Sequence, residues 1–145
     1  IVNGLVGSEM CIRDSPHYYC LPVLKREEHR QALVKSATSG DAKYFLGTDS
    51  APHSKNSNEN NCGCAGVYTA FSALELYAQV FDQNDALHNL EAFASFNGAD
   101  FYQLPRNQDT VTLKKQRWNL PDTLSMGEEQ LIPCMAGESI EWKLQ

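Results

Sequence analysis

With 145 residues, 42% of them apolar and 10% aromatic, the chain is long enough for one domain with a buried core and too short for a whole β/α barrel, which takes about 250 residues. A formal charge of -6 and a pI near 5.1, with no basic run longer than Lys25-Arg26 or Lys114-Lys115, argue against a nucleic-acid partner and for a small-molecule substrate. No apolar stretch approaches the roughly 20 residues of a membrane helix, which argues against a membrane protein, and five cysteines without a secretory signal predict a reduced, cytoplasmic one.

In chain order, IVNGLVGSEMCIRDS at residues 1–15 stands apart, because VGSEMCIRDS resembles the peptide obtained when sequencing-adapter DNA is translated. These residues are set aside from the fold as an artefact or non-native segment. The alternative is a natural strand or loop. Residues 18–23 then predict a strand ending at Pro22, followed by a helix from about Lys25 to Thr38. Glu27 and Glu28 lie in its first turn, Lys35 near its last, and Gly40 is its stop. His29, Leu33 and Ala37 are its expected face.

Tyr44, Phe45 and Leu46 predict a second, buried strand, and Gly47-Thr48 turn the chain so that Asp49 emerges at its C-terminal end. Strand, helix, strand is a parallel, right-handed β/α repeat, and in a barrel that end carries the catalytic groups. Residues 54–61, SKNSNENN, are a polar loop. Val67, Phe71, Leu74, Ala78 and Phe81 recur at helical spacing and predict a core-facing helix over 67–81. A further helix is expected from Ala86, capped by Asp85, with Leu87, Leu90 and Phe93 inward, His88 outward and Gly98 near its end. Asp100 to Leu104 predicts one more helical turn, ended by Pro105. Val111 and Leu113, then Ile140, Trp142 and Leu144, alternate with polar residues as in half-exposed antiparallel strands of a small C-terminal extension.

Three motifs in fixed order carry more than any one of them: PHYYCLPVLKR at 16–26, GTDSAPH at 47–53 and CGCAG at 62–66. Together they resemble the C-terminal part of class II dihydroorotases, the single-function form of bacteria and fungi and members of the amidohydrolase superfamily. The resemblance covers residues 16–145. It implies an α/β fold, the last two β/α units of a (β/α)8 barrel plus a C-terminal extension. The implied parent activity is the zinc-dependent, reversible hydrolysis of L-dihydroorotate to N-carbamoyl-L-aspartate in pyrimidine synthesis, by an enzyme that is a homodimer at full length.

By the same resemblance Asp49 is both metal ligand and catalytic residue. A metal-bound water has its pKa lowered toward neutrality, and a carboxylate beside it can take the proton and return it to the leaving amide nitrogen. Without the family match, Asp49 reads first as the cap of a turn or a helix. His53, placed by Pro52, is implied to bind the substrate's carboxylate, although a lone histidine in a polar segment is usually just exposed. Leu21 and Ala65 are implied to bind substrate through main-chain groups. Cys62 and Cys64 form C-x-C with no second pair, unlike a structural zinc site, and are expected to be ordinary thiols.

Dihydroorotases hold two zinc ions with an HxH pair, a carboxylated lysine and two further histidines. This chain has no HxH, and His17, His29 and His88 match none of those ligands. One carboxylate cannot hold two metals, so the polypeptide by itself is expected to be inactive. The rival readings are another cyclic amidohydrolase, such as a hydantoinase or allantoinase, and a noncatalytic dihydroorotase-like assembly module.

Overall fold

Charge placement and a side-chain cap start the first helix. The computed structural model describes residues 16–20, 26–60 and 64–145, and within them α1 runs Glu27–Thr38. Glu27 and Glu28 face the positive end of its dipole and Lys35 the negative end. The Arg26 N–H donates to His29 Nδ1 at 3.2 Å, and Arg30 grips Glu27 through two 2.7 Å bonds. Gly40, at φ +79°, turns the chain away after the helix. The buried residues are Val34 and Ala37. Of the predicted face only Ala37 is inward, since His29 folds back as a cap and Leu33 is exposed.

The core gathers around a helix from the middle of the chain. A short polar helix, α2 (Lys55–Asn58), precedes it; then a 3₁₀ turn, Ala70–Ser72, leads into α3 (Ala73–Gln83). Leu76, Tyr77, Ala78 and Phe81 are almost wholly buried. Leu76, Tyr77 and Phe81 pack with Val34 and Ala37 of α1, with Phe93, and with Leu120 and Ile140 of the C-terminal part. Tyr77 and Phe81 each stack against Phe93, with centroids 5.1 and 5.2 Å apart. The predicted stripe is inward at Val67, Ala78 and Phe81 but not at Phe71, which is exposed. The tighter 3₁₀ turn advances about 120° per residue rather than 100°, so positions before Ala73 are out of phase with those after it.

After α3 the chain continues through a 3₁₀ turn (Leu87–Asn89), a π-helical turn (Ala92–Phe96) and α4 (Asn97–Phe101). Leu87 and Leu90 pack against the core and His88 is exposed, as expected. Asp85 is not a cap: it sits at φ 53°, and Ala86 precedes the turn. Gly98 lies inside α4, where a Cβ would meet the Phe45 ring at 3.3 Å.

Tyr44–Leu46 is part of no strand, a correction to the predicted β/α repeat. A strand needs a ladder, and here the segment's backbone bonds to the helical segment instead. The Leu46 N–H donates to the Phe93 carbonyl at 2.9 Å, and Asn97 Nδ2 donates to the Tyr44 carbonyl at 3.1 Å. Phe45 packs on Phe101 and Tyr102. The other predicted strand begins instead with a 3₁₀ turn, Pro16–Tyr18, and Leu21 to Val23 lie outside the described residues.

The described residues form two two-stranded antiparallel sheets, both in the C-terminal extension. There β1 (Leu113–Asn119) pairs with β4 (Ser139–Leu144), with an irregularity between Lys115 and Trp118. A hairpin joins β2 (Leu124–Met126) to β3 (Glu129–Leu131). The extension is fastened to α3. The Glu141 N–H donates to Gln79 Oε1 at 3.0 Å, and Lys115 Nζ and Trp142 Nε1 reach Asp82 Oδ2 at 2.6 and 3.2 Å. Among the described residues no helix is long and apolar enough to cross a membrane.

Candidate active site

The segment from Gly47 to His53 is held in place by the residues that lead into α3. Thr69 Oγ1 donates to the Thr48 carbonyl at 2.8 Å, on one side of Asp49. On the other side, Ser50 Oγ accepts from the N–H groups of Thr69 and Ala70, both at 3.1 Å. Between these two anchors Asp49 adopts φ 45°, a left-handed conformation uncommon outside glycine that asparagine and aspartate tolerate best. Asp49 is exposed, whereas Thr69 is 1% accessible. The anchor is therefore buried and the acid is presented to solvent.

His53 is half-buried against Gly66. A Cβ on Gly66 would lie 2.6 Å from His53 Cδ2, 2.8 Å from Nε2 and 2.8 Å from the Ala51 methyl. Glycine is what lets the imidazole lie on the backbone of this segment. Two backbone bonds fix the surroundings: the Ala51 N–H donates to the Val67 carbonyl at 3.0 Å, and the Gly66 N–H to the Tyr19 carbonyl at 2.9 Å. Ala65 is half-buried between Gly66 and Cys64, whose N–H donates to the Ser57 carbonyl at 3.1 Å. Leu21, two residues beyond Tyr19, lies outside the described residues.

The polar run is ordered into α2 by side-chain bonds. Ser54 caps it, with its Oγ 3.4 Å from the Ser57 N–H. Asn58, 5% accessible, donates from Nδ2 to His17 Nδ1 at 3.3 Å, and the other ring nitrogen of His17 stands 3.0 Å from Glu59 Oε1. His17 thus ties the PHYYC motif to α2. The C-terminal extension meets the same region, since the Cys134 N–H donates to the Tyr68 carbonyl at 2.8 Å and the Met135 N–H to the Tyr18 hydroxyl at 3.1 Å.

The fold thus brings His53 and the CGCAG segment into contact and joins the Asp49 loop to the same stretch through Thr69. The sequence by itself does not single out Ser50, Thr69 or Gly66. Threonine just before a helix is a start signal and is the one cue that points to Thr69. Its hydroxyl does not cap the following turn, however, being committed to Thr48. Among the described residues no group of three or more histidine, cysteine, aspartate or glutamate side chains is placed to hold a metal ion. Asp49 can supply one carboxylate ligand and no more, so these residues do not fit a metal centre by themselves.

A model of the amidohydrolase family matches residues 5–116. The chain belongs to that family. Among curated members, it is 61% identical over 129 residues to the dihydroorotase of Photobacterium profundum, covering 89% of this chain and 38% of that protein. It is 63% identical over 129 residues to the dihydroorotase of Nitrosococcus oceani, covering 89% and 37%. Among solved amidohydrolase-family structures, the Saccharomyces cerevisiae dihydroorotase in complex with 5-fluoroorotic acid superposes with a TM-score of 0.93 at 35% identity, over 99% of this chain and 41% of that one. The Campylobacter jejuni dihydroorotase superposes with a TM-score of 0.85 at 35% identity, over 99% and 43%. This chain therefore spans about two fifths of the length of the dihydroorotases it matches.

Proposed function

We propose that the whole protein carrying this segment is a dihydroorotase that opens the cyclic amide of L-dihydroorotate to N-carbamoyl-L-aspartate and closes it again. The observation that carries the proposal is 61–63% identity to dihydroorotases over 129 residues, a stretch that contains the anchored acid and the histidine packed on glycine. In this reading the segment is the last two β/α units of a (β/α)8 barrel with a C-terminal extension, and Tyr44–Leu46, in no strand among the described residues, takes its ladder from barrel strands outside the chain. Superposition over 99% of the chain on 41% of the yeast enzyme supports a fragment of that fold. The parent enzyme is a cytoplasmic homodimer, and the two zinc ions typical of the family would take Asp49 as one ligand and the rest from outside the chain.

Asp49 is the group that accepts and returns a proton. In ring opening, water oxygen bonds to the amide carbon, the carbon–nitrogen bond breaks, and the proton held on the Asp49 carboxylate passes to the departing nitrogen. His53 donates to the substrate carboxylate, as either protonation state of imidazole can. The main-chain groups of Leu21 and Ala65 complete the substrate's hydrogen bonds. Residues 16–145 alone have no turnover, because one carboxylate cannot assemble the centre.

Residues 1–15 are assigned, on their likeness to translated adapter DNA, to a non-native segment. Alignments of 127–130 residues to the curated relatives fit this assignment, whereas the family match that begins at residue 5 does not. Sequencing the genomic locus across Ser15-Pro16 decides between them.

The function is tested by assaying the full-length protein on L-dihydroorotate, hydantoin and allantoin side by side. Turnover confined to dihydroorotate is expected. Preference for either other ring would replace the substrate assignment, and no turnover of any ring would favour a noncatalytic assembly role.

A further inference from the structure

The geometry points to Thr69 and Ser50 as positioning residues that set the direction of the Asp49 carboxylate. Neither residue carries a group that could do proton transfer near neutral pH, and Thr69 is too deeply buried to meet substrate. What they do is hold the backbone on both sides of one residue. The Thr69 hydroxyl fixes the carbonyl of Thr48, and the Ser50 hydroxyl is fixed by two N–H groups at the entrance to α3.

The residue between them stands at φ 45°. An L-residue occupies that region at a cost, and it persists only where the surroundings over-determine it. Two anchors do so here, one on the Thr48 carbonyl before Asp49 and one on the Ser50 hydroxyl after it. The left-handed turn redirects the Cα–Cβ bond of Asp49 relative to an extended chain, so the anchors decide where the carboxylate goes. The far end of the anchor is rigid: Thr69 leads into α3, whose Leu76, Tyr77 and Phe81 form the centre of the core. The acid is thus referenced to the packed core and not to its own exposed loop.

This inference rests on Asp49 being the catalytic acid, so the experiment separates the two. In the full-length protein, Asp49→Asn is assayed first, and its loss of turnover establishes the role of Asp49 independently. Thr69→Val then removes the hydroxyl while keeping size and branching, Thr69→Ser keeps the hydroxyl, and Ser50→Ala removes the other anchor. Misplacing a reacting group by about an ångström can cost up to about 100-fold in rate. The expected result is a fall in kcat of about 10- to 100-fold for Thr69→Val and Ser50→Ala, with KM changed less than about threefold.

Thr69→Ser should recover most of the rate. A purely structural role would instead lower the melting temperature without dividing kcat from KM, and serine would not restore the rate. If Asp49→Asn abolishes turnover while Thr69→Val and Ser50→Ala, both folded, keep the wild-type kcat, the positioning role is overturned and the catalytic one stands. If Thr69→Val fails to fold, the Ser50→Ala arm decides alone. If Asp49→Asn keeps its rate, the assignment of the acid fails, and the positioning role falls with it.

Discussion

Replacing Gly66 by alanine tests how tightly the site is packed. The added methyl would lie 2.6 Å from His53 Cδ2 and 2.8 Å from the Ala51 Cβ, whereas carbon atoms settle at about 3.5–4.0 Å. The atoms must therefore separate by roughly 0.7–1.4 Å. The imidazole can rotate, but Ala51 cannot easily retreat, because its N–H is bonded to the carbonyl of Val67, the residue next to Gly66. Relief thus comes from opening the 51–67 backbone bond, from driving His53 out, or from both. Overpacking of this kind costs about 1–3 kcal/mol, to be read as a lowered denaturant midpoint with unchanged slope. Because His53 is the proposed carboxylate donor, KM for dihydroorotate should rise about tenfold or more, the scale of one lost charge-assisted hydrogen bond. Steady-state kinetics and urea unfolding of full-length Gly66→Ala measure both. Wild-type KM and wild-type stability together would show that His53 does not rest on this backbone, and would refute the packing argument.

Three further outcomes follow from the same geometry. His17→Ala removes the acceptor of Asn58 Nδ2, and the buried Asn58 Oδ1 also has no hydrogen-bond partner among the described residues. The cost is about 1–3 kcal/mol, with faster amide exchange over Lys55–Asn58; unchanged exchange would rule out His17 as the tie. Asp82 is held below its ordinary value of 3.8, first by its hydrogen bond to Lys115 and then by that to Trp142. Because its folded-state pKa is depressed, the stability it adds is present above pH 3.8 and is lost as pH falls through the lower folded value. Asp82→Asn should therefore lower stability at neutral pH and flatten the acid limb; an unaltered acid limb would show the link to be inert. Phe81→Ala, at a side chain with no exposure between Tyr77, Phe93 and Ile140, should cost about 3–5 kcal/mol in unfolding, and a loss below about 1 kcal/mol would contradict the placement of the core.

The parts of the fold legible in the sequence are those governed by local chemistry. The ends of α1 follow from Glu27, Glu28, Lys35 and Gly40, and the alternation of Ile140, Trp142 and Leu144 identifies β4. Spacing misplaces the inward face of α1, because His29 finds a backbone donor to cap, a choice that spacing does not encode. The apolar run Tyr44–Leu46 reads as a strand, yet Phe45 is apolar because it packs on Phe101, Tyr102 and the bare face of Gly98. The β2–β3 hairpin carries a sequence signal in Gly127, a turn residue directly after the alternating Leu124 and Met126, and Gly127 stands at φ +64° in that turn. The π-helical turn over 92–96 has no periodic signature in so short a window.

For the site, the motifs point to the acid and the histidine, and the fold supplies what a linear reading cannot. Gly66 is a small residue in CGCAG until His53 is seen lying on it, and Thr69 opens a helix until its hydroxyl is seen turned toward Thr48. Both relations join residues 13 or more positions apart, beyond the reach of local pattern.

The most direct test of the central claim is the turnover number of full-length Asp49→Asn in both directions, with folding checked by its melting temperature. The account predicts a folded protein that has lost at least about 100-fold in ring opening and in ring closure, the scale of removing a general acid–base group. A folded variant with wild-type turnover would contradict it.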